Sequence, residues 1–248
     1  MSVSPLPAQS FAMRVRTVSS ESPIGSFLKV LSLITIVAAV LCQPPTDAER
    51  AQILEAHLAV RESVFPPAAN MMLMEYSHQL EHLADHWAGR CKFEHPDPKV
   101  HAHYRDLGQN IAIMGGITPS FTEAVCGYRN EEKRYDYFNN SCTGRCGHYT
   151  QMVWASSNLL GCSMRRCDGI NPQWNDPQYL SVCQYKPPGN YRGMKPYEYG
   201  ISCSKCPDGY SCYRNQCFKD AKCSQVYPLM GVWNEADRMV PKCRVFMG

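Results

Sequence analysis

The sequence predicts a mixed fold in which helices cover both faces of a sheet, followed by a small piece held by cross-links. Three observations point there. Helical and strand-like patterns interleave as far as Lys186, too few residues for a barrel and enough for a covered sheet. At Pro187-Pro188-Gly189 the texture changes, and aliphatic residues become scarce from Cys203 onward. Cysteine supplies 14 of the 248 residues and hydrophobic residues 44%. That is enough for a real core, and more cysteine than ordinary usage without reaching the level of a scaffold made mostly of disulfides.

The first segment is a candidate leader. An apolar stretch of about 12 residues follows Lys29, against the roughly 20 that a bilayer span needs. With Arg14 and Arg16 before it and Pro44-Pro45 after it, the stretch reads as a signal peptide over residues 1–42, with Met13 as a second candidate start. The mature chain then keeps 22 basic and 21 acidic residues, scattered along its length, and has no transmembrane segment. Such a balance excludes a charge-driven partner, nucleic acid above all. In the oxidising secretory route the 13 remaining cysteines should pair.

Thr46-Asp47-Ala48-Glu49 has the capping-box spacing and opens a helix whose stripe holds Ile53, Leu54 and Leu58, with His57 inside it. Pro66-Pro67 ends that helix. A second runs from Tyr76 to Cys91 with Leu80, Leu83, Ala84 and Trp87 on one face and His78, His82 and His86 on the other. Leu107 to Met114 reads as a strand. Phe121, Val125, Tyr128, Glu132 and Tyr135 keep helical spacing, and Leu159–Met164 and Tyr179–Tyr185 read as strands carrying Cys162 and Cys183. From Cys203 the pattern is C-x-x-C, five residues, C, four residues, C, a mini-domain held by cross-links.

Two stretches carry a family resemblance. Gly147-His148-Tyr149-Thr150-Gln151-Met152-Val153-Trp154, followed by Gly161-Cys162, is the first. The second is Leu180-Ser181-Val182-Cys183-Gln184-Tyr185-Lys186-Pro187-Pro188-Gly189-Asn190. They resemble the two signature motifs of the CAP superfamily, which comprises cysteine-rich secretory proteins, antigen 5 and pathogenesis-related 1. Val64 to Met71 and Ser202 to Pro207 look most like the animal members named peptidase inhibitors. The resemblance implies an α+β fold, a three-layer α-β-α sandwich over residues 43–190. A cysteine-rich hinge over 191–217 and a short tail over 218–248 follow. It also implies disulfides joining Cys91 to Cys167, Cys162 to Cys183, Cys203 to Cys212 and Cys206 to Cys217. Cys142 and Cys146 are close enough for a local bridge, and Cys223 with Cys243 closes the tail. Cys126 is left as the odd thiol, free or holding a disulfide-linked dimer.

The family places two histidines and two acids in a central cleft. Carried over, the histidines are His57, in His57-x-x-x-Arg61, and His148. The first acid falls on Gln109 in Gly108-Gln109-Asn110, a departure from Gly-Glu-Asn, and the second on Glu131, with Glu132 as the spare by helical phase. Two imidazoles and a carboxylate suit Zn²⁺. Glutamine in place of the second acid leaves a weak metal cup that does not require its metal and lacks the acid–base pair of a hydrolase. No serine or cysteine nucleophile stands out. Asn139 heads the sequon Asn139-Asn140-Ser141, beside Tyr135, Tyr137 and Phe138 as candidate contacts for lipid or partner. The expected protein is therefore secreted and non-catalytic, binding a small lipid or sterol, a divalent metal or an extracellular protein. The competing readings are a protease inhibitor and, further off, a metal-dependent hydrolase using His57, His148 and Glu131.

Overall fold

The computed structural model describes residues 44–116 and 119–219. The expected signal peptide, the tail beyond Lys219 and its Cys223–Cys243 bridge lie outside the described residues. No described helix is long and apolar enough to cross a membrane.

Helix α1 (Asp47–Glu62) starts at the expected capping box: the Thr46 side chain accepts from the Glu49 amide, and Glu49 accepts from the Thr46 amide at 2.7 Å. These two contacts satisfy amides that a helix start otherwise leaves unpaired. A short strand β1 (Glu75–Tyr76) precedes helix α2 (His78–Ala88). This helix is shorter than the apolar spacing predicts, because Tyr76 is held in the sheet opposite Leu160 and Ser77 acts as N-cap, accepting from the Leu80 amide. Strand β2 (Gly108–Gly115) leads to helix α3 (Phe121–Arg129), which tightens into a 3₁₀ turn over Asn130–Arg134. The hairpin β3 (Tyr135–Asp136) and β4 (Ser141–Cys142) follows, then helix α4 (Gly147–Met152) and strands β5 (Leu159–Arg166) and β6 (Gln178–Lys186).

The main sheet has the order β1-β5-β6-β2, with β1 parallel to β5 and the other neighbours antiparallel. Alternation along each strand divides its side chains between two cores. Leu180 and Val182 pack with Ala84, Trp87 and Ile111 on the α2 side, whereas Tyr185 and Leu160 pack with Ile53, Leu58, Val125 and Tyr128 beneath α1 and α3. This is the α-β-α sandwich. Gly161 sets how closely α2 approaches: a Cβ there would collide with the helix backbone at Leu80 and Glu81.

A second hairpin, β7 (Tyr210–Tyr213) and β8 (Gln216–Lys219), turns through Arg214 and Asn215, both at positive φ. It docks firmly on α1. Arg214 donates to Glu55 at 2.7 and 2.9 Å and to Glu62 at 2.7 Å, and the Cys217 amide donates to Met71 O at 2.6 Å. Cysteines pair as 91–167, 142–146, 162–183, 203–212 and 206–217. Cys126 is also disulfide-bonded, which corrects the expectation of an odd thiol and removes the sulfur that a dimer through Cys126 would use.

Candidate functional site

His148 lies in the first turn of α4, which begins directly after the Cys142–Cys146 bridge. Facing it, the 3₁₀ turn after α3 presents Glu131. The His148 ring Nδ1–H donates to Glu131 Oε1 at 2.7 Å, and the backbone amides of His148 and Tyr149 donate to Oε2 at 2.9 and 3.3 Å. Burial alone would raise the Glu131 carboxyl, but the His148 hydrogen bond and charge, together with the two amides, hold it below the usual carboxylate range. Glu131 is thus an ionised acceptor that fixes the imidazole. Tyr128 lies against that ring, with centroids 4.9 Å apart. Glu132 is half-exposed, 3.9 Å from Arg129.

The second half of the site is carried by the edge strand β2. Gln109 Oε1 accepts from the Nδ1–H of His95 at 2.7 Å. On the next residue, Asn110 Nδ2 donates to the backbone carbonyl of His148 at 3.0 Å. Adjoining residues of one strand therefore tie both histidines, His95 through its side chain and His148 through its backbone.

His57 is a correction. It is fully buried, and both of its ring nitrogens are engaged inside the protein. Ile53 O can only accept, so Nδ1 carries the proton at 2.8 Å, and Nε2 accepts from the Tyr185 hydroxyl at 2.9 Å. Burial first, then the nearby Arg61 charge, lowers its pKa to about 4. A ring so placed is a strut, linked to His148 through Tyr185 and Asn110. Sequence reasoning missed His95, which sits in a Pro-flanked segment with no periodicity. It did register the signal that argued against His57, whose helical phase lay inside the apolar stripe.

In the two outer pairs Gln109 and Glu131 occupy Nδ1 and leave Nε2 as the nitrogen that His95 and His148 can offer. Outer acceptors holding imidazoles by Nδ1 in this way are the usual support of metal ligands. His95 and His148 are the side chains that could hold a Zn²⁺ ion, which would bring Lewis acidity, with Glu131 and Gln109 as their supports. Two nitrogens make a weak site. Among the described residues, the one group of three or more His, Cys, Asp or Glu side chains with ligating atoms within 4.8 Å is Cys203, Cys206 and Cys217, and their sulfurs are in disulfides.

Asn139 is exposed in the β3–β4 turn, its amide donating to Asp136 at 2.6 Å. Tyr137 is buried, stacked on Tyr197 at 4.6 Å, and is not available as a surface contact; Phe138 next to it is 62% exposed. His78, His82 and His86 are exposed along α2.

Comparison with known proteins agrees with this architecture. The profile of the cysteine-rich secretory protein family, CAP, matches residues 54–185. Peptidase inhibitor 15 of Homo sapiens is 38% identical over 190 residues, which cover 71% of this chain and 72% of that protein. Peptidase inhibitor 15 of Xenopus laevis is 40% identical over 182 residues, covering 67% and 69%. Among solved structures, NaASP2 with Zn²⁺ superposes with a TM-score of 0.57 at 28% identity, covering 71% of this chain and 98% of that one. The chain belongs to the CAP family and is related to proteins named peptidase inhibitors.

Proposed function

We propose that this protein is a secreted binding protein that turns over no substrate. One observation carries the reading: Glu131, the carboxylate at His148, is already engaged by hydrogen bonds. Glu131 accepts three hydrogen bonds and is held ionised, so it is a poor base near neutral pH and no acid at all. Its counterpart is Gln109, which exchanges no proton. The disulfides among the described residues support an oxidising, extracellular setting. Divalent metal in the cleft would be weak and would act by organising His95 and His148.

Recognition then falls to apolar contact. Phe138 and Tyr199 meet edge to face at 6.4 Å, and Tyr199 pairs by backbone with Ala68, beside Phe65 and Pro67. Phe65, Phe138, Tyr199 and Ile201 are 78, 62, 63 and 82% exposed. Single exposed apolar residues are ordinary, whereas a run of large ones marks a contact surface for a lipid, a sterol or a protein. The test is capture of labelled sterol and fatty acid, and of co-secreted proteins, by the intact chain. Capture lost on Phe138→Ser with Tyr199→Ser but kept in His148→Ala supports the reading. Capture lost with His148→Ala and kept in the aromatic pair contradicts it.

A further inference from the structure

We propose that His82 and His86 form an exposed two-imidazole site for a divalent transition metal of the Cu²⁺ and Zn²⁺ class, separate from the cleft. Both project from α2, whose other face, with Leu80, Ala84, Trp87 and Ala88, is buried in the sandwich. Residues four apart on a helix bring their Cβ atoms to about 5–6 Å. This is the spacing by which helices present two histidines to one ion. His78 continues the series, but His78 and His86 stand about 12 Å apart along the axis. One ion therefore takes one neighbouring pair.

The pair is His82 with His86 because the His86 ring is preset. The Tyr104 hydroxyl donates its one proton to Leu83 O at 3.0 Å, so the contact between His86 and that hydroxyl, also 3.0 Å, has His86 Nδ1–H as donor. Nε2 is left with its lone pair, the outer support that metal-binding histidines use. His78 has no such support; its ring lies edge-on to Tyr76 at 6.0 Å.

The carboxylates of the same helix are committed elsewhere. Glu81 is bound by Arg50 at 2.7 and 2.8 Å and by the Tyr76 hydroxyl at 2.7 Å, and Asp85 is bound by Arg165 and by Ser163 at 2.8 Å. His78-Gln79-Leu80-Glu81-His82 reads H-x-x-E-H, the order found in one class of zinc hydrolases. With Glu81 locked to Arg50, no base is free, so the site binds metal without hydrolysing anything. Imidazole ligands with open positions for water favour Cu²⁺ over Zn²⁺.

The test is calorimetric titration of Cu²⁺ alone into the full secreted chain carrying His95→Ala and His148→Ala, so that the cleft contributes nothing. One equivalent should bind. In that background His82→Ala and His86→Ala should each weaken it by at least about tenfold, and Tyr104→Phe by about tenfold with His86 still present. His78→Ala should leave it within about twofold of the parent. All three histidines are exposed, so these variants keep the fold. Absence of binding in the parent, an unchanged affinity in His86→Ala, or a loss in His78→Ala equal to that in His86→Ala would overturn the assignment.

Discussion

At the scale of single residues, His57 couples stability to acid. Its folded pKa is lowered to about 4 by burial from an ordinary value near 6.5, so the folded state favours the neutral ring. The stability this represents is present above pH 6.5 and is lost as pH falls through 4, and its full size is roughly 3 kcal/mol. Glu131, Asp85 and Glu81 also have lowered values, and their stabilisation is lost only below the usual carboxylate range. Melting curves between pH 6.5 and 4.5 should therefore drop in the native chain and flatten in His57→Gln. Arg61 is buried beside it, donating to the carbonyls of Met72, Met152, Trp154 and Ala155, with its pKa lowered to about 9 by burial. Arg61→Met strands four acceptors and should cost at least about 3 kcal/mol in chemical denaturation. An Arg61→Met protein as stable as its parent would show those carbonyls to be satisfied some other way. The sequence showed that His57 and Arg61 share a helix; it did not show that both point into the core with no carboxylate beside them. A motif match alone made His57 a ligand, whereas its phase in the apolar stripe was the stronger physical signal.

At the scale of elements, a local change of helix type decides which acid faces the cleft. Phase counted at 100° per residue puts Glu132 in the apolar stripe of α3 and Glu131 at its edge. The last turn is 3₁₀ and advances about 20° more per residue. Over Asn130 and Glu131 that is enough to swing Glu131 inward and leave Glu132 near Arg129. Amphipathic periodicity does not register such a tightening, so the motif located Glu131 where the pattern pointed to its neighbour. The strand runs and the capping box were legible because alternation and capping chemistry are local. The start of α2 was not, since the pairing of Tyr76 with Leu160 is a tertiary contact. The sheet also has its own constraint at Gly161. Gly161→Ala must push α2 away from β5, and overpacking of this kind should cost about 1–3 kcal/mol, read as a lower melting temperature. On β2, Gln109→Glu adds a charge behind His95 and should tighten Zn²⁺ binding by roughly tenfold in calorimetry. Equal affinity in the two proteins would remove Gln109 from the site.

At the scale of the whole molecule, the fold is a sandwich stapled along its length, with the second hairpin fastened to α1 by Arg214 and by backbone pairing to Met71 and Leu73. The cysteine spacing made the bridges of this hairpin readable. Its docking depends on Glu55 and Glu62 more than 150 residues away, which spacing does not encode. Such a frame is built to hold surfaces still, and its cleft has one spent carboxylate and one amide where a hydrolase needs two groups that exchange protons. The proposed function requires that this site turn over no substrate. Steady-state hydrolysis of peptide and ester substrates by the intact secreted protein, with added Zn²⁺, tests it most directly against His148→Ala. The rates of the two proteins should match each other and the uncatalysed background; turnover above background that disappears in His148→Ala would contradict the account.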